Sequence, residues 1–577
     1  MSVQVPVPFQ QVVLTAGFWQ KRIKTVQEKT LPLCINYCEE THRFDNFRSA
    51  AHEKQGVFQG IFFNDSDVYK ILEGAAYLSY PVDSFVSSII AAQQPDGYLN
   101  TYFILNEDEE KWSDMGLHED YCLGHMIDAA IARHQATMNS DWLQCAERAV
   151  TQMQKTLTGR HWVTGHQGIE LALIRLYRHT GNEEYLDFAG WLLNERGHGH
   201  LKSKSFYSEN FTADYCQDFE PVDKQRRAKG HAVRAMYYYA AMADYAAIKG
   251  DALFRDALNA LFHHITEHQM YITGGIGQNR FNEGFAEDDS LPSMTAYCET
   301  CAAIGMAMWN HRMSLIDCDA RYADIVELEL YNGILAGISL DGDRFFYENP
   351  LASPGNVKRK PWFSCSCCPT NLTRFIPSVS GYMYSTNDRT IYIHQYMSSR
   401  ASISYRGGEA HIIQQTDYPI DGRISLSIDT STNICLRVPG WCREFRLELN
   451  NEVKYAPLIK GYISLDVNAD DLVALNLSLP PRLIKGRSDV RENVGRVAFA
   501  RGPLIYCAEA CDQDTQIPDE FFHSDLKVHP AEEIEVLPYS DELGGIVRLK
   551  TDGISLIPYY AWANRKESAM TVFISTI

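Results

Sequence analysis

The sequence predicts a mainly α protein with β: a large helical domain followed by two β-sandwich domains. Three observations predict it. From about residue 15 to 385, long segments repeat apolar residues at helical spacing, as in "DSDVYKILEGAAYLSY", "QGIELALIRLYRHTG" and "GHAVRAMYYYAAMADYAAI". After about 386 the texture changes to short alternating β-branched runs, "RTIYIHQYM", "ASISYRG", "GRISLSID" and "NICLRVPGW", separated by turn residues at sandwich spacing. The length, 577 residues, exceeds what one core supports and argues for about two to four domains.

The helical half reads as roughly ten to twelve helices arranged as hairpins. A ring of six hairpins, the (α/α)6 barrel, fits that number, while patterning alone leaves a solenoid open. Residues 1–385 are assigned to this domain. Residues 386–487 are assigned to the first sandwich, completed by 565–577, and 488–564 to the second, which "VGRVAFARGPLIYCAE" begins.

A net charge of −20 argues against nucleic acid and anionic membrane as partners, since both need clustered Lys and Arg. No run of 18 apolar residues is present, and "MSVQVPVPFQQVVLTAGFWQ" lacks the pattern of a secretory signal, so a cytoplasmic protein is expected. The 15 cysteines are then expected to be reduced, with Cys38, Cys145, Cys318 and Cys435 serving as small buried hydrophobes.

Three Gly-His pairs, Gly124-His125, Gly165-His166 and Gly230-His231, are read as opening helices, and His118 lies just upstream of the first. A histidine at a helix N-terminus feels the positive end of the dipole and stays neutral, able to donate and to accept. Any one of these histidines could simply cap its helix or fill a gap in the core, but such rings gather the N-termini of their inner helices at one mouth, and the recurrence points to a polar mouth. In "YCETCA", Glu299 and Cys301 stand about 200° apart on a regular helix and converge only if the helix begins there. In "SCSCCP", Pro369 is expected to push Cys368 toward extended geometry, so joint action of Cys367 and Cys368 demands a bend. Three thiolates and a carboxylate would make a tetrahedral zinc site; buried free thiols or a vicinal disulfide remain the alternatives. Glu283, Glu287, Asp288 and Asp289 are further carboxylates between the "TGGIGQ" turn and Glu299. Nothing in the spacing of Glu327 or Tyr347 selects them.

At these residues the chain resembles the glycoside hydrolase family 127 β-L-arabinofuranosidases. The resemblance runs nearly end to end, through "FNDSDVYKILE", "GHQGIELAL", "LPSMTAYCETCA", "CSCCPTN", "RGPLIYCAE" and "PYYAWANR". It implies an (α/α)6 barrel with two sandwiches and a retaining mechanism with a cysteine nucleophile. Carried over by position, Glu299, Cys301, Cys367 and Cys368 match the zinc ligands, Cys367 the nucleophile and Glu283 the acid/base. His118, His166, His231, Glu327 and Tyr347 match sugar contacts, whereas His125 and Cys365 match nothing. The stretch "EETHRFDNFRSAAHEKQGVFQGIFFN" is shorter than in the family and lacks a counterpart to a sugar-binding glutamine.

The expected function is hydrolysis of terminal β-L-arabinofuranose from a small oligosaccharide or glycoconjugate, with a homodimer left open. The alternatives are the same chemistry on another furanoside or a branched pectic sugar, a non-catalytic zinc-containing carbohydrate-binding protein, and a metal-free sugar epimerase.

Overall fold

Two kinds of helix alternate through the first two thirds of the chain, and their burial separates them. Helix Asp141–Leu157 buries one stripe, Trp142, Cys145, Ala146, Ala149, Val150 and Met153, and turns its other face to water. Helix Ala232–Lys249 is buried at every position from Ala232 to Asp244, as an inner helix must be. The computed structural model describes residues 3–202, 212–405, 408–514 and 517–577.

Among the described residues six helices are of the inner kind: α1 (Asp65–Tyr77), α2 (Glu119–Thr137), α3 (Ile169–Thr180), α4 (Ala232–Lys249), α5 (Thr300–Asp317) and α6 (Cys367–Phe375). Each packs on the next in chain order, and α6 packs back on α1, so the series closes. Helices Asp141–Leu157, Glu183–Glu195, Ala252–His264 and Ala320–Leu328 follow α2 to α5 and pack outside them. Short connections make each such pair a helical hairpin.

Among the described residues three sheets make up the rest of the fold. A six-stranded sheet runs from Val5–Pro6 through Tyr384–Thr386, Thr390–Ile393, Thr432–Arg437 and Tyr462–Val467 to Leu458–Ile459. A seven-stranded sheet ends at Val12–Leu14, which pairs with Ser399–Tyr405. Its strands Arg423–Ile428 and Leu472–Leu477 alternate exposed and buried residues, so this sheet has one covered face. The third sheet gathers the strands from Pro481 onward together with Ala352–Pro354, which pairs with Ala569–Thr571.

Two expectations are corrected here. Residues 565–577 do not complete the sheets of 386–487: Ile574–Thr576 pairs with Arg496–Arg501 and Lys527–Val528, and Ala569–Thr571 pairs with Leu504–Glu509. The free edges are taken instead by Val5–Pro6 and Val12–Leu14, so the chain's first residues belong to the sheets, not to the helical region. Edge pairing is a long-range choice that two- and three-residue strands carry no local signal for. The closing motif docks the third sheet on the helices: buried Arg359 donates to Ala336 O, Tyr560 O and Trp562 O.

Candidate active site

The N-termini of the inner helices meet in series, and the polar residues of the sequence motifs sit there. His118 is the residue before α2, with φ 60°, and its Nδ1 donates to Gly116 O at 2.6 Å. His166 lies three residues before α3, and its Nδ1 donates to Gln167 O at 2.8 Å. His231 caps α4, its Nδ1 accepting from the amides of Val233 and Arg234. The rings stand in a row, His118 to His166 at 5.6 Å and His166 to His231 at 5.7 Å between centroids. Burial pushes all three below the ordinary histidine range, and the Arg234 guanidinium adds to it. They are neutral, and the backbone fixes their tautomers: His118 and His166 present Nε2 as an acceptor, His231 presents Nε2–H as a donor.

His125 does not open a helix. It lies in the second turn of α2 at 3% exposure, and neither ring nitrogen has a hydrogen-bond partner among the described residues. The helix begins earlier because His118 supplies the left-handed residue that turns the chain into it.

Glu283 follows the same logic of placement. The turn that carries it lies against the start of α4: Ala232 N donates to Glu283 O, and a Cβ on Gly284 would stand 1.7 Å from Gly230 O. Only glycine permits that approach. The Glu283 carboxylate accepts from Tyr215 and Tyr297 hydroxyls at 2.9 Å each and from His231 Nε2 at 3.3 Å. Burial raises its pKa, but these three donors win and hold it at about 2.

Glu299 is the residue before α5, with ψ 135°, so its carboxylate folds back beside Cys301 in the first turn. Cys367 and Cys368 open α6 as its first two residues. Pro369 therefore does not hold Cys368 extended. A proline in the first turn lacks only an N–H that has no intrahelical acceptor, so the helix forms around it. The bend that two adjacent thiols need is the helical turn itself, and their sulfurs lie 3.9 Å apart. Cys301 Sγ is 3.5 Å from Cys368 Sγ, and Glu299 Oε1 is 3.6 Å from both Cys367 and Cys368. Tyr347, whose carbonyl accepts from Thr300 N, puts its hydroxyl 3.1 Å from Cys367 Sγ and 3.8 Å from Cys365 Sγ.

These four acids crowd one another. Burial pushes Glu299 up, and the Cys367 thiol adds to it; burial and Cys301 push Cys368 up. Cys301 falls to about 6 against burial, because its contacts with the Cys367 and Cys368 thiols favour its thiolate. Glu299 Oε2 is buried with no partner among the described residues. One ligand atom from each of Glu299, Cys301, Cys367 and Cys368 lies within 4.8 Å of the others. A largely buried set of three sulfurs and a carboxylate with an oxygen left over fits a cation, which supplies the charge the protein does not.

A brace holds the thiol loop. Asp67, in the first turn of α1, accepts from Arg43 Nε at 3.1 Å and from the Thr370 hydroxyl of α6 at 3.2 Å. Arg43 also donates to Ser364 O at 2.8 Å. Sequence reading missed Arg43, Asp67, Tyr215 and Tyr297. Tyr297 stands two residues before Glu299 in its motif and was within reach; Tyr215 lies in a loop with no pattern. A cleft of about 840 Å³ lined by Asn279, Arg280, Tyr347, Glu348 and Phe363 opens on the thiol side. Another of about 600 Å³, lined by Tyr215, Gly230, Asn279 and Asn282, opens beside Glu283.

The structure does not bring Glu327 to this cluster. Its carboxylate accepts from Tyr418 Oη at 2.7 Å, Arg437 Nη2 at 2.5 Å and Trp441 Nε1 at 2.9 Å, all from the β region. Both oxygens are saturated, leaving it a junction between the helices and the sheets.

Residues 11–381 match the family model described as the β-L-arabinofuranosidase GH127 catalytic domain, 390–481 its middle domain and 481–575 the GH127 C-terminal domain. A curated non-reducing end β-L-arabinofuranosidase of Bifidobacterium longum subsp. longum is 32% identical, over 97% of this chain and 99% of that protein. A solved GH127 β-L-arabinofuranosidase from Geobacillus stearothermophilus T6 superposes with TM-score 0.93 at 35% identity, covering 98% of this chain and 100% of that one. A further solved GH127 β-arabinofuranosidase superposes at 0.92 with 36% identity, covering 100% and 98%.

Proposed function

The chain belongs to glycoside hydrolase family 127, and from that premise we propose that it is a retaining exo-glycosidase that removes terminal non-reducing β-L-arabinofuranose. The architecture proposed with it is an (α/α)6 barrel through about residue 385, followed by two β-sandwiches. The closed series of six inner helices and the alternating strands support that reading. No helix among the described residues is long and apolar enough to cross a membrane.

One observation carries the mechanism. Of the four clustered donors Glu299, Cys301 and Cys368 are buried, and Cys367 alone is partly exposed, next to Tyr347. Glu299, Cys301, Cys367 and Cys368 would hold the cation, and thiolate-rich tetrahedral donors suit zinc. When bound, zinc supplies positive charge that keeps the thiols deprotonated at neutral pH.

Cys367 Sγ attacks the anomeric carbon while the glycosidic oxygen leaves with a proton from Glu283. Water then attacks the same carbon, gives its proton to Glu283 and releases Cys367. Three donors hold Glu283 as a carboxylate, the form the second step needs. The first step requires a bound sugar to displace a donor, so that the carboxyl takes up a proton. The neutral histidines His118 and His166 turn Nε2 acceptors to sugar hydroxyls, and Tyr347 sits against the nucleophile.

The test is hydrolysis of an aryl β-L-arabinofuranoside by Cys367→Ala and Glu283→Gln, with mass spectrometry of the chain treated with a sugar electrophile. Labelling at Cys367 and loss of turnover are expected. Full activity in both variants refutes the mechanism. The second reading is the same chemistry on a different furanoside; Phe62 and Phe63 lie against His118, at 5.4 and 4.9 Å between centroids, where the sugar's outer contacts would form. A panel of aryl furanosides decides.

A further inference from the structure

A second donor set lies outside the mouth. His161 follows helix Asp141–Leu157, Glu195 ends helix Glu183–Glu195, and His200 lies in the loop beyond it. His161 Nδ1 and His200 Nε2 each stand 3.1 Å from the same oxygen, Glu195 Oε2. The three ligand atoms lie within 4.8 Å of one another, and the imidazoles stack at 4.3 Å. We propose that His161, Glu195 and His200 form an accessory site for a divalent transition cation of the zinc, nickel or cobalt class.

Four features support this. Donor atoms around an ion with bonds of about 2.1 Å stand about 3.0–3.4 Å apart, which matches the spacing from each histidine to Glu195. Two imidazoles and one carboxylate with solvent completing the shell is a donor set such ions take readily. His161 is largely exposed, 74% at the side chain, so an ion and its waters have access.

The fourth feature is electrostatic. Glu195 sits at the negative end of its helix, whose last turn holds no basic residue, and a carboxylate there calls for a cation. Arg196 does not serve, because its buried guanidinium is directed to Cys216 O and to Thr164. The loop is instead turned back over the helix end at Gly197, with φ +92°, where a Cβ would stand 2.2 Å from Pro221 N.

The site's position gives it a use. Gly197 N and Leu201 N donate to the two oxygens of Asp218, and Arg196 ties the same loop to Thr164 and Cys216. Those residues flank His166 and Tyr215. An ion on His161, Glu195 and His200 clamps the loop behind two groups of the mouth.

The experiment is the content of tightly bound metal per full-length chain after equilibration with zinc and dialysis. The wild type is expected to hold one ion more than His161→Ala or His200→Ala, with His198→Ala, whose ring is 6.0 Å from His200, as a control equal to wild type. Equal metal content in wild type and both variants overturns the proposal, whatever the thiol cluster binds. Added zinc is also expected to raise Tm in Cys301→Ala/Cys368→Ala but not when His161→Ala is added to it; a rise in both also overturns it.

Discussion

Glu299 and Glu327 are equally sealed from water, at 3% and 1% exposure, and the chain uses them in opposite ways. Glu327 is surrounded by donors: Arg437, Tyr418 and Trp441 take both oxygens and bind the helical region to the sheets. Glu299 meets three thiols, and one of its oxygens has no partner among the described residues. Burial of a carboxylate therefore says little by itself. What separates structure from chemistry is whether the protein satisfies the charge or leaves that to something it binds.

Cys367→Ala should lower kcat/KM by at least about 10³-fold with little change in urea unfolding, since the site is a cost to the fold. A variant within tenfold of wild type in kcat/KM would mean that the unsatisfied cluster is not where the reaction occurs.

Glu327→Gln should do the reverse. Breaking a buried pair with Arg437 costs about 3–5 kcal/mol, read from denaturant unfolding, while the folded fraction keeps its kcat/KM within a few-fold. Loss of kcat/KM at unchanged stability would return Glu327 to the sugar-binding residues.

Asp67→Asn falls between the two. It weakens the brace from Arg43 to Thr370, so about 1–3 kcal/mol of stability and about tenfold in kcat/KM should go together. An effect on stability alone would show that the thiol loop holds its shape without the brace.

The smallest effect concerns Glu283. Its donors depress the carboxyl from 4.5 to about 2, so its contribution to stability is present above pH 4.5 and is lost as pH falls toward 2. Glu283→Gln should flatten the acid limb of stability over that window, modestly, because about a third of the side chain reaches water. An unchanged limb would mean that Tyr215, Tyr297 and His231 do not hold the charge.

Much of this was legible in residue order. The change from helical to alternating texture near 386 marks where the sheets dominate, and the "ETC" spacing requires a helix start at Glu299, which is where α5 begins. The thiols were recognisable as a group. The conformation at Cys368 was not, because the rule that the residue before proline avoids the helix is a local preference, and the first turn of α6 overrides it. Gly-His pairs gave two residues of the mouth and one buried inside α2, since the dipeptide does not say how far upstream a helix begins.

By itself the sequence determined periodicity, the inventory of acids and thiols, and the family; these depend on neighbours along the chain. Only the tertiary structure decided which carboxylate is satisfied. Glu283 and Glu327 obtain their donors from residues distant in sequence: Tyr215 and His231 for one, Tyr418, Arg437 and Trp441 for the other. It also decided that residues 5–14 close the sheets, because strand edges and hydrogen-bond donors are matched across the fold, where local spacing carries no information.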